Sequence, residues 1–519
     1  SFNGLLSVTA DGGSLIGEAP EISGLWFAEA VWVKDGPGVG KVVADWMTKG
    51  SPEYDPYGID IARFYPEQKQ DDYVFGRCGE IAKKVYTPAV PPREPFETGR
   101  QLFKSPFYER EVALGGYFME AAGWERAHGY AANEQTLLVK YRDQIPQRMN
   151  EWDSRHFWEV SNAEQLALSD DVGMVNLSHF AIYDIDGQSA EPLLEYLAVA
   201  KVGGATQVGK GVYTHFLDEK GGIRADLTIV RLSEDCFRVI CGGGTGHRDL
   251  VWIKQMAAAR HADIEIHNRT HQLATLGLWG PNARKVLASL VDDPNAVSDA
   301  KFPFATAANI EIEGIKIWAF RISYVGELGW ELYFDFADGL QLWDLFADAG
   351  VNPVGIETYA NSRRLEKSLR LQNADLETDY NLHEADLARK LVKKADFHGK
   401  AAYVAQKAAD QQTSYLCTMV MLKNVDASGV ARYPVGEWPI LNKETREVLL
   451  DELGRRSICT SVEYGPSLGS NIILGYIPAE FASVGTELLL EYFCEEYPIR
   501  IEAVGYAPLL DPENLRVRS

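Results

Sequence analysis

The sequence is short of positive charge. Its 519 residues include 51 Lys and Arg against 74 Asp and Glu, which gives a formal net charge of −23. A chain with this balance is not expected to bind nucleic acid, because such binding needs clustered positive charge. An anionic small ligand remains compatible with the charge if a local pocket holds it.

Cysteine is also scarce. The six cysteines contain no CxxC pair, and only Cys236 and Cys241 lie close together in the sequence. This usage argues against a disulfide scaffold or a zinc module and favours a reducing compartment, the cytoplasm or the mitochondrial matrix. No apolar run approaches the roughly 20 residues that a membrane helix needs, so neither a metal site nor a membrane partner is expected.

Familiar catalytic motifs are missing or incomplete. No GxGxxG fingerprint occurs, and the stretch 204–211 ends in glycine where a phosphate-binding loop needs Ser or Thr. His267 and His271 are spaced like zinc ligands, but the residues before them favour a strand rather than a helix. The GxSxG stretch at 465–469 precedes a strand-like run, which predicts a turn between strands instead of a nucleophile elbow.

The sequence is nevertheless that of a folded protein with several domains. Hydrophobic residues make up 46% and aromatic residues 11% of the chain, which suits packed cores, and the length predicts about three or four domains. The pattern changes divide the chain into an α/β segment at 1–70, a connecting segment at 71–150, a mixed domain at 151–415, and a β-barrel at 416–519.

The α/β segment begins like a cofactor-binding unit. A strand-like run at 25–33 leads into a glycine-rich stretch at 36–40 and a predicted helix at 41–48. Strand, glycine turn and helix can bring backbone N–H groups close to a cofactor. An ordinary tight turn explains these residues equally well.

One carboxylate stands out in a predicted hairpin. Residues 211–228 read as strand, Gly-Gly turn and strand, and Asp226 lies on the second strand between apolar neighbours. Taken alone, Asp226 could equally be a strand-edge residue that faces solvent.

A second carboxylate lies in an apolar strand. Glu331 follows Trp330 and precedes Leu332, in the stretch 322–333. Burial of a carboxylate is costly unless donors satisfy it, and a ligand with paired N–H groups would supply such donors. An edge-strand glutamate is the alternative. The charged stretch 361–367, taken alone, predicts a solvated helix with i,i+3 pairing.

Together these stretches resemble a known family. With Phe397-His398-Gly399-Lys400, the turn at 465–469 and the stretch 507–512, they are similar to the folate domain of the dimethylglycine oxidase, dimethylglycine dehydrogenase and sarcosine dehydrogenase family. That domain resembles the aminomethyltransferase T-protein of glycine cleavage. Stretches near residues 29–33, 96–106 and 123–126 resemble the FAD domain and middle segment of the same family.

The resemblance implies an α+β fold. It comprises a T-protein-like folate-binding domain and a C-terminal β-barrel, preceded by the tail of an FAD-dependent amine oxidase domain. It also implies roles for five residues. Asp226 matches the carboxylate beside the reacting folate nitrogen and would be catalytic, and Glu331 matches the glutamate that pairs with the pterin. Tyr324 matches a pocket tyrosine, while Thr228 and Tyr213 match the pocket wall more weakly.

The implied activity is tetrahydrofolate-dependent oxidative demethylation of an N-methyl amino acid. The folate domain would trap the iminium carbon as 5,10-methylenetetrahydrofolate. FAD would require sequence preceding Ser1 or a partner chain. The expected partners are a methylated amine, a flavin-domain segment or subunit, and further copies in an oligomer. Two alternatives stay open: a silent regulatory homologue, and a folate-dependent methyltransferase or demethylase that uses another methyl donor.

Overall fold

The computed structural model describes residues 6–85, 95–150, 155–203 and 207–518. The cluster of Pro88, Pro91, Pro92 and Pro95 predicts a loop-rich stretch at 71–110 within the connecting segment. The first three of these prolines lie outside the described residues, as does part of the stretch 204–211. In the described part the strands are β1 Leu15–Glu18, β2 Trp26–Glu29, β3 Gly116–Ala121, β4 Trp124–Tyr130, β5 Gly173–Asn176, β6 Ala181–Asp186, β7 Gly211–Leu217, β8 Ile223–Arg231, β9 Cys236–Cys241, β10 Glu265–Asn268, β11 Leu273–Trp279, β12 Ala307–Ile312, β13 Ile315–Phe320, β14 Gly329–Asp335, β15 Asn352–Pro353, β16 Ser414–Met421, β17 Ile440–Leu441, β18 Cys459–Gly465, β19 Ser470–Pro478, β20 Glu487–Tyr492 and β21 Glu495–Val504. The α-helices are α1 Gly36–Lys49, α2 Asp71–Lys84, α3 Tyr108–Ala113, α4 Leu137–Tyr141, α5 Trp158–Asp170, α6 Ala190–Leu197, α7 Gly246–Ala259, α8 Ala283–Leu290, α9 Gly339–Asp348, α10 Arg363–Glu366, α11 Lys400–Ala408 and α12 Leu515–Arg518.

The N-terminal segment is α/β, with two differences from the prediction. The strand predicted over 25–33 ends at Glu29, because Ala30 adopts a positive φ of 54° and turns the chain. The glycines at 36, 38 and 40 do not form a turn before the helix; they lie in its first turns. Proline at the start of α1 explains this, since its fixed φ suits the first turn of a helix.

Two sheets face each other in the middle of the chain. The first, which we call sheet A, has the order β10-β6-β9-β8-β7, and the second, sheet B, has the order β12-β13-β14-β11-β5-β15. Their facing sides pack through a buried apolar cluster made of Ile182, Val230, Ile240, Phe320 and Tyr333. The side chains beside this cluster therefore lie between the two sheets.

Helices cover the outer faces of both sheets. The outer face of sheet A packs on α6 and α7 through residues such as Leu194 and Ile253. The outer face of sheet B packs on α8 and α9 through residues such as Leu287 and Phe346. Because the outer faces are apolar and covered, polar residues on the inner faces are the ones that can reach a ligand.

The third sheet is the predicted C-terminal β-barrel. Sheet C has the order β17-β20-β21-β16-β19-β18, and an antiparallel bridge between Pro439 and Ile458 joins its two outermost strands. The stretch 465–469 is the turn between β18 and β19, as predicted. These features confirm an α+β fold; the exact domain boundaries stay a prediction.

Some local predictions are wrong. The apolar pattern of residues 310–317 predicts a single strand. The structure instead has a hairpin of β12 and β13, because Glu313 and Gly314 both have positive φ and reverse the chain. The segment 71–110 was expected to be loop-rich, yet it contains helix α2, in which acidic residues at the start and lysines at the end favour a helix.

The charged stretch 361–367 is buried instead of solvated. Arg363 and Glu366 are fully buried and pair at 2.8 Å, and Arg364 pairs with Asp375 at 2.6 Å. Lys367 donates to the Leu510 carbonyl at 3.0 Å, and Arg364 donates to Ser461 Oγ on β18 at 2.7 Å. This segment thus joins the two-sheet domain to the barrel and the C-terminal tail.

Candidate functional site

Asp226 lies on the inner face of sheet A. Its neighbours Ala225 and Leu227 point to the outer core with α6 and α7, so strand alternation turns Asp226 towards sheet B. Strand β8 pairs with both β7 and β9. Asp226 is therefore not an edge residue that faces solvent, and the alternative that treated it as one is wrong. Thr228 follows it on the same face.

Two residues of the neighbouring strand support Asp226. The Tyr213 hydroxyl donates a hydrogen bond to Asp226 Oδ2 at 3.0 Å. His215 lies directly opposite Asp226 in the ladder, and its Nε2 is 3.2 Å from the same tyrosine oxygen. Since the tyrosine proton is used by Asp226, the imidazole is assigned as the donor in this second bond.

The surroundings of Asp226 favour a protonated carboxyl group up to near-neutral pH. Burial raises the pKa of Asp226 to about 7, the Tyr213 hydrogen bond opposes this rise, and the Asp249 carboxylate adds to it. Burial, with the cations Arg389 and Arg370, lowers the pKa of His215 to about 3. Asp226 can therefore give or take a proton near pH 7, while His215 stays neutral.

Glu331 lies on the inner face of sheet B. It is 6% exposed, and β14 is flanked by β11 and β13, so the edge-strand alternative is also wrong. Among the described residues, only the Tyr333 hydroxyl donates to it, at 2.5 Å. A buried carboxylate with one donor retains unused acceptor positions, which is costly unless a ligand fills them.

Glu331 should therefore destabilise the ligand-free protein. Burial raises its pKa from 4.5 to about 7, so between these two pH values the unfolded chain releases a proton that the folded chain keeps. The contribution of Glu331 to the free energy of unfolding therefore falls as the pH rises from 4.5 to 7 and stays low above pH 7. We expect Glu331→Gln to raise the free energy of unfolding by about 1–3 kcal/mol at pH 8 and by much less at pH 4. Urea titration at both pH values measures this.

An exposed glutamate provides the matched control. The Glu265 side chain on β10 is 78% exposed, so Glu265→Gln should leave the unfolding midpoint nearly unchanged at both pH values. If Glu331→Gln raised the free energy of unfolding equally at pH 4 and pH 8, the ionised Glu331 side chain would not be the cause of the destabilisation.

Tyrosines line the space near the two carboxylates. Tyr324 donates to the Arg370 carbonyl at 2.5 Å, and its ring centroid is 5.2 Å from that of Tyr359. Tyr359 also stacks on Trp279 at 5.5 Å. It lies in a π-helical turn at Thr358–Ser362, a rare geometry that often occurs at functional sites. Burial raises the pKa of Tyr359, and the Glu331 and Asp226 carboxylates add to this rise.

The structure thus places all five sequence-predicted residues in one region. Asp226, Thr228 and Tyr213 lie on the inner side of sheet A, Glu331 on the inner side of sheet B, and Tyr324 on the loop before β14.

Sequence reasoning missed other residues of this region. His215 and Tyr333 each lie two positions from a predicted residue on the same strand, and strand alternation could have found them. Tyr359 and Arg370 come from later segments, and no local pattern connects them to the site. Among the described residues, no cluster of His, Cys, Asp or Glu is arranged to hold a metal ion.

Comparisons with known proteins identify the family of this chain. The model of the GCVT N-terminal domain matches residues 107–395, more than half of the chain. This chain belongs to the GCVT domain family. Two further family models match: the FAD dependent oxidoreductase central domain at 49–105, and the glycine cleavage T-protein C-terminal barrel domain at 436–504.

Curated relatives extend the likeness over nearly the whole chain. The mitochondrial dimethylglycine dehydrogenase of Rattus norvegicus is 31% identical over 93% of this chain and 53% of its own length. The 4-methylaminobutanoate oxidase (formaldehyde-forming) of Paenarthrobacter nicotinovorans is 29% identical over 99% and 59%. The mitochondrial sarcosine dehydrogenase of Mus musculus is 28% identical over 80% and 48%. The predicted resemblance is confirmed, and the chain spans about half the length of these relatives.

A solved structure confirms the fold. The glycine cleavage system aminomethyltransferase T from Bartonella henselae superposes with a TM-score of 0.63 and 21% identity, over 79% of this chain and 98% of that one. At this identity the likeness concerns the fold alone. In the described part of the chain, no helix combines the length and apolar character needed to cross a bilayer.

Proposed function

We propose that this GCVT-family chain binds tetrahydrofolate and acts in the oxidative demethylation of an N-methyl amino acid. The observation that carries the proposal is the pair of inner-face carboxylates, Asp226 and Glu331, on two facing sheets. Tetrahydrofolate would supply the nitrogens that receive the carbon, and FAD in the flavin domain of the family would supply the oxidation. No residue of this chain is assigned to FAD. The family resemblance and the cysteine usage support a location in the cytoplasm or the mitochondrial matrix.

Glu331 fits the role of a pterin anchor. A pterin edge presents two parallel N–H donors, and a carboxylate accepts such a pair in a bidentate manner. The single internal donor of Glu331 leaves acceptor positions for this pair. Tyr324 and Tyr359 supply flat aromatic surface beside it, which suits a planar ring.

Asp226 fits the chemical role. Its carboxylate can stabilise a cationic one-carbon electrophile, such as an iminium, and accept a proton at Oδ1 or Oδ2. Tyr213 and His215 hold the carboxylate in place. Enclosure between the sheets would keep water from the reactive carbon.

Direct binding of tetrahydrofolate tests the proposal. We expect calorimetry to detect binding to the wild-type chain, and Glu331→Gln to weaken it about 10- to 100-fold, because a charge-assisted bidentate contact is worth about 1.5–3 kcal/mol. Glu265→Gln is the exposed control and should bind like the wild type. Absence of binding at millimolar ligand would favour a silent regulatory protein, and equal binding by Glu331→Gln would overturn the role of Glu331.

A further inference from the structure

A cavity lies outside the two-carboxylate site. Its volume is about 720 Å³, within the range of small-molecule sites. It is bounded by the N-terminal segment on one side and by helix α7 and the start of strand β8 on the other. Trp26, Trp46 and Trp252 give it an aromatic wall, and Arg224 contributes a positive charge.

A β-bulge directs Arg224. In the β7–β8 ladder, Phe216 pairs with Ala225 and Leu217 pairs with Ile223, so Arg224 has no partner across the strand. A bulge of this kind bends the strand and redirects the extra side chain, and bulges are common beside functional sites. Arg224 is also only two residues from Asp226, so this cavity is next to the proposed folate site.

The Arg224 guanidinium has no hydrogen-bond partner among the described residues. Its Nε is buried and receives no acceptor, and its terminal nitrogens form no hydrogen bond or ion pair with the described part of the chain. Its carbon lies 4.2 Å from the centre of the Trp252 ring, which holds the side chain without satisfying its N–H groups. Leaving charged donors unsatisfied is costly.

The carboxylates of the cavity wall already have donors. Glu21 pairs with Lys69, Glu18 accepts from the Gly24 N–H at 2.6 Å, and Asp218 accepts from the Gly222 N–H at 2.8 Å. Arg248 pairs with Asp55 at 2.7 Å and with Asp60 at 3.1 Å. Glu219 lies 3.4 Å from His398. Burial lowers the pKa of Arg224 to about 10, and the neighbouring Arg248 cation contributes to this fall. The Asp60, Asp55 and Asp249 carboxylates oppose this fall, but none of them accepts a hydrogen bond from Arg224. Unlike the exposed Lys254, Arg224 has a buried N–H group without an acceptor within the described ranges, and the carboxylate of a ligand would supply one.

We propose that Arg224 anchors the carboxylate of a small organic acid in this cavity. Two terminal guanidinium nitrogens match the two oxygens of a carboxylate, and the tryptophans offer apolar and aromatic surface to the rest of the molecule. The identity of the acid rests on the proposed function: the amine partner of that reaction is an amino acid, which carries such a carboxylate. The aromatic wall also suits a methylated ammonium group.

Calorimetry with two matched small molecules tests this. N,N-dimethylglycine carries a carboxylate, whereas 2-(dimethylamino)ethanol has the same amine and a hydroxyl instead. We expect the wild-type chain to bind N,N-dimethylglycine at least 10-fold more tightly than the alcohol. Arg224→Gln should lose this preference, and Arg224→Lys should retain part of it.

A second stacked arginine serves as the control. Arg260 lies 3.6 Å over the Tyr196 ring but outside the cavity, so Arg260→Gln should bind N,N-dimethylglycine like the wild type. Tetrahydrofolate binding, measured on the same samples, shows separately whether Arg224→Gln is folded and whether the proposed function holds. Equal binding of N,N-dimethylglycine by the wild type and Arg224→Gln, or equal binding of acid and alcohol by the wild type, would overturn the assignment.

Discussion

Replacement of Asp226 by alanine is expected to reduce 5,10-methylenetetrahydrofolate formation by about 10²- to 10⁴-fold, the range for loss of a positioned acid–base group. Oxidation of the N-methyl group should continue, because Asp226 lies in the GCVT domain. The released carbon should then appear as formaldehyde. The measurement is methylenetetrahydrofolate and formaldehyde formed per methyl group oxidised, with the chain acting together with its flavin-containing region or partner.

Two variants separate chemistry from folding. Asp226→Asn keeps the shape and can still accept the Tyr213 hydrogen bond, so it should lose activity like the alanine variant while it unfolds at the same or higher urea concentration. Asp186→Ala changes an exposed aspartate at the end of β6 and should change neither product. An unchanged methylenetetrahydrofolate yield in Asp226→Ala would refute the role of Asp226. A methyl rather than methylene product in the wild type would favour the methyltransferase alternative.

Local rules predict the hairpin that carries Asp226. Alternation and the Gly-Gly turn place Tyr213, Thr228 and Asp226 on paired strands, and the structure has this pairing. The same rules identify the strand of Glu331. They cannot show that these strands belong to two sheets that face each other, because that contact depends on packing between segments about 100 residues apart. The resemblance to a family implied only that both carboxylates belong to one folate pocket, and the packed cluster between the two sheets now shows how the strands that carry them face each other.

The stretch 361–367 shows where local reasoning fails. Four charged residues in seven positions are typical of a solvated helix face, and nothing nearby in the sequence indicates burial. The partners that make burial possible, Glu327 and Asp375, come from other segments. Local reasoning also fails at Arg224. This residue has no partner on the neighbouring strand because of a β-bulge that strand alternation does not predict. Buried charges with distant partners are therefore the features that only the structure reveals.

Loss of Arg363 should have the largest effect on stability. Its side chain pairs with Glu327 and, at 2.8 Å, with Glu366, and all three side chains are at most 1% exposed. It also donates to the Val325 carbonyl at 2.9 Å. Arg363→Met leaves Glu366 without this cation, whereas Glu327 keeps Arg516 at 2.7 Å. Breaking a buried pair in this way typically costs about 3–5 kcal/mol. We expect a clearly lower urea midpoint. We also expect weaker tetrahydrofolate binding, because Arg363 holds the carbonyl of Val325, which directly follows Tyr324 of the proposed folate site.

A compensated variant distinguishes charge imbalance from loss of packing. Adding Glu366→Gln to Arg363→Met removes the carboxylate that lost its cation and leaves Glu327 with Arg516. This double variant should recover part of the midpoint, since a buried ion pair is often replaceable as a unit. Arg110 forms an ion pair with Asp344 in which both side chains are nearly half exposed, and Arg110→Met should leave the midpoint unchanged. If Arg363→Met were as stable as Arg110→Met, the 361–367 stretch would not hold the domains together. The buried charges of the 361–367 stretch would then be expected to serve ligand binding and not stability.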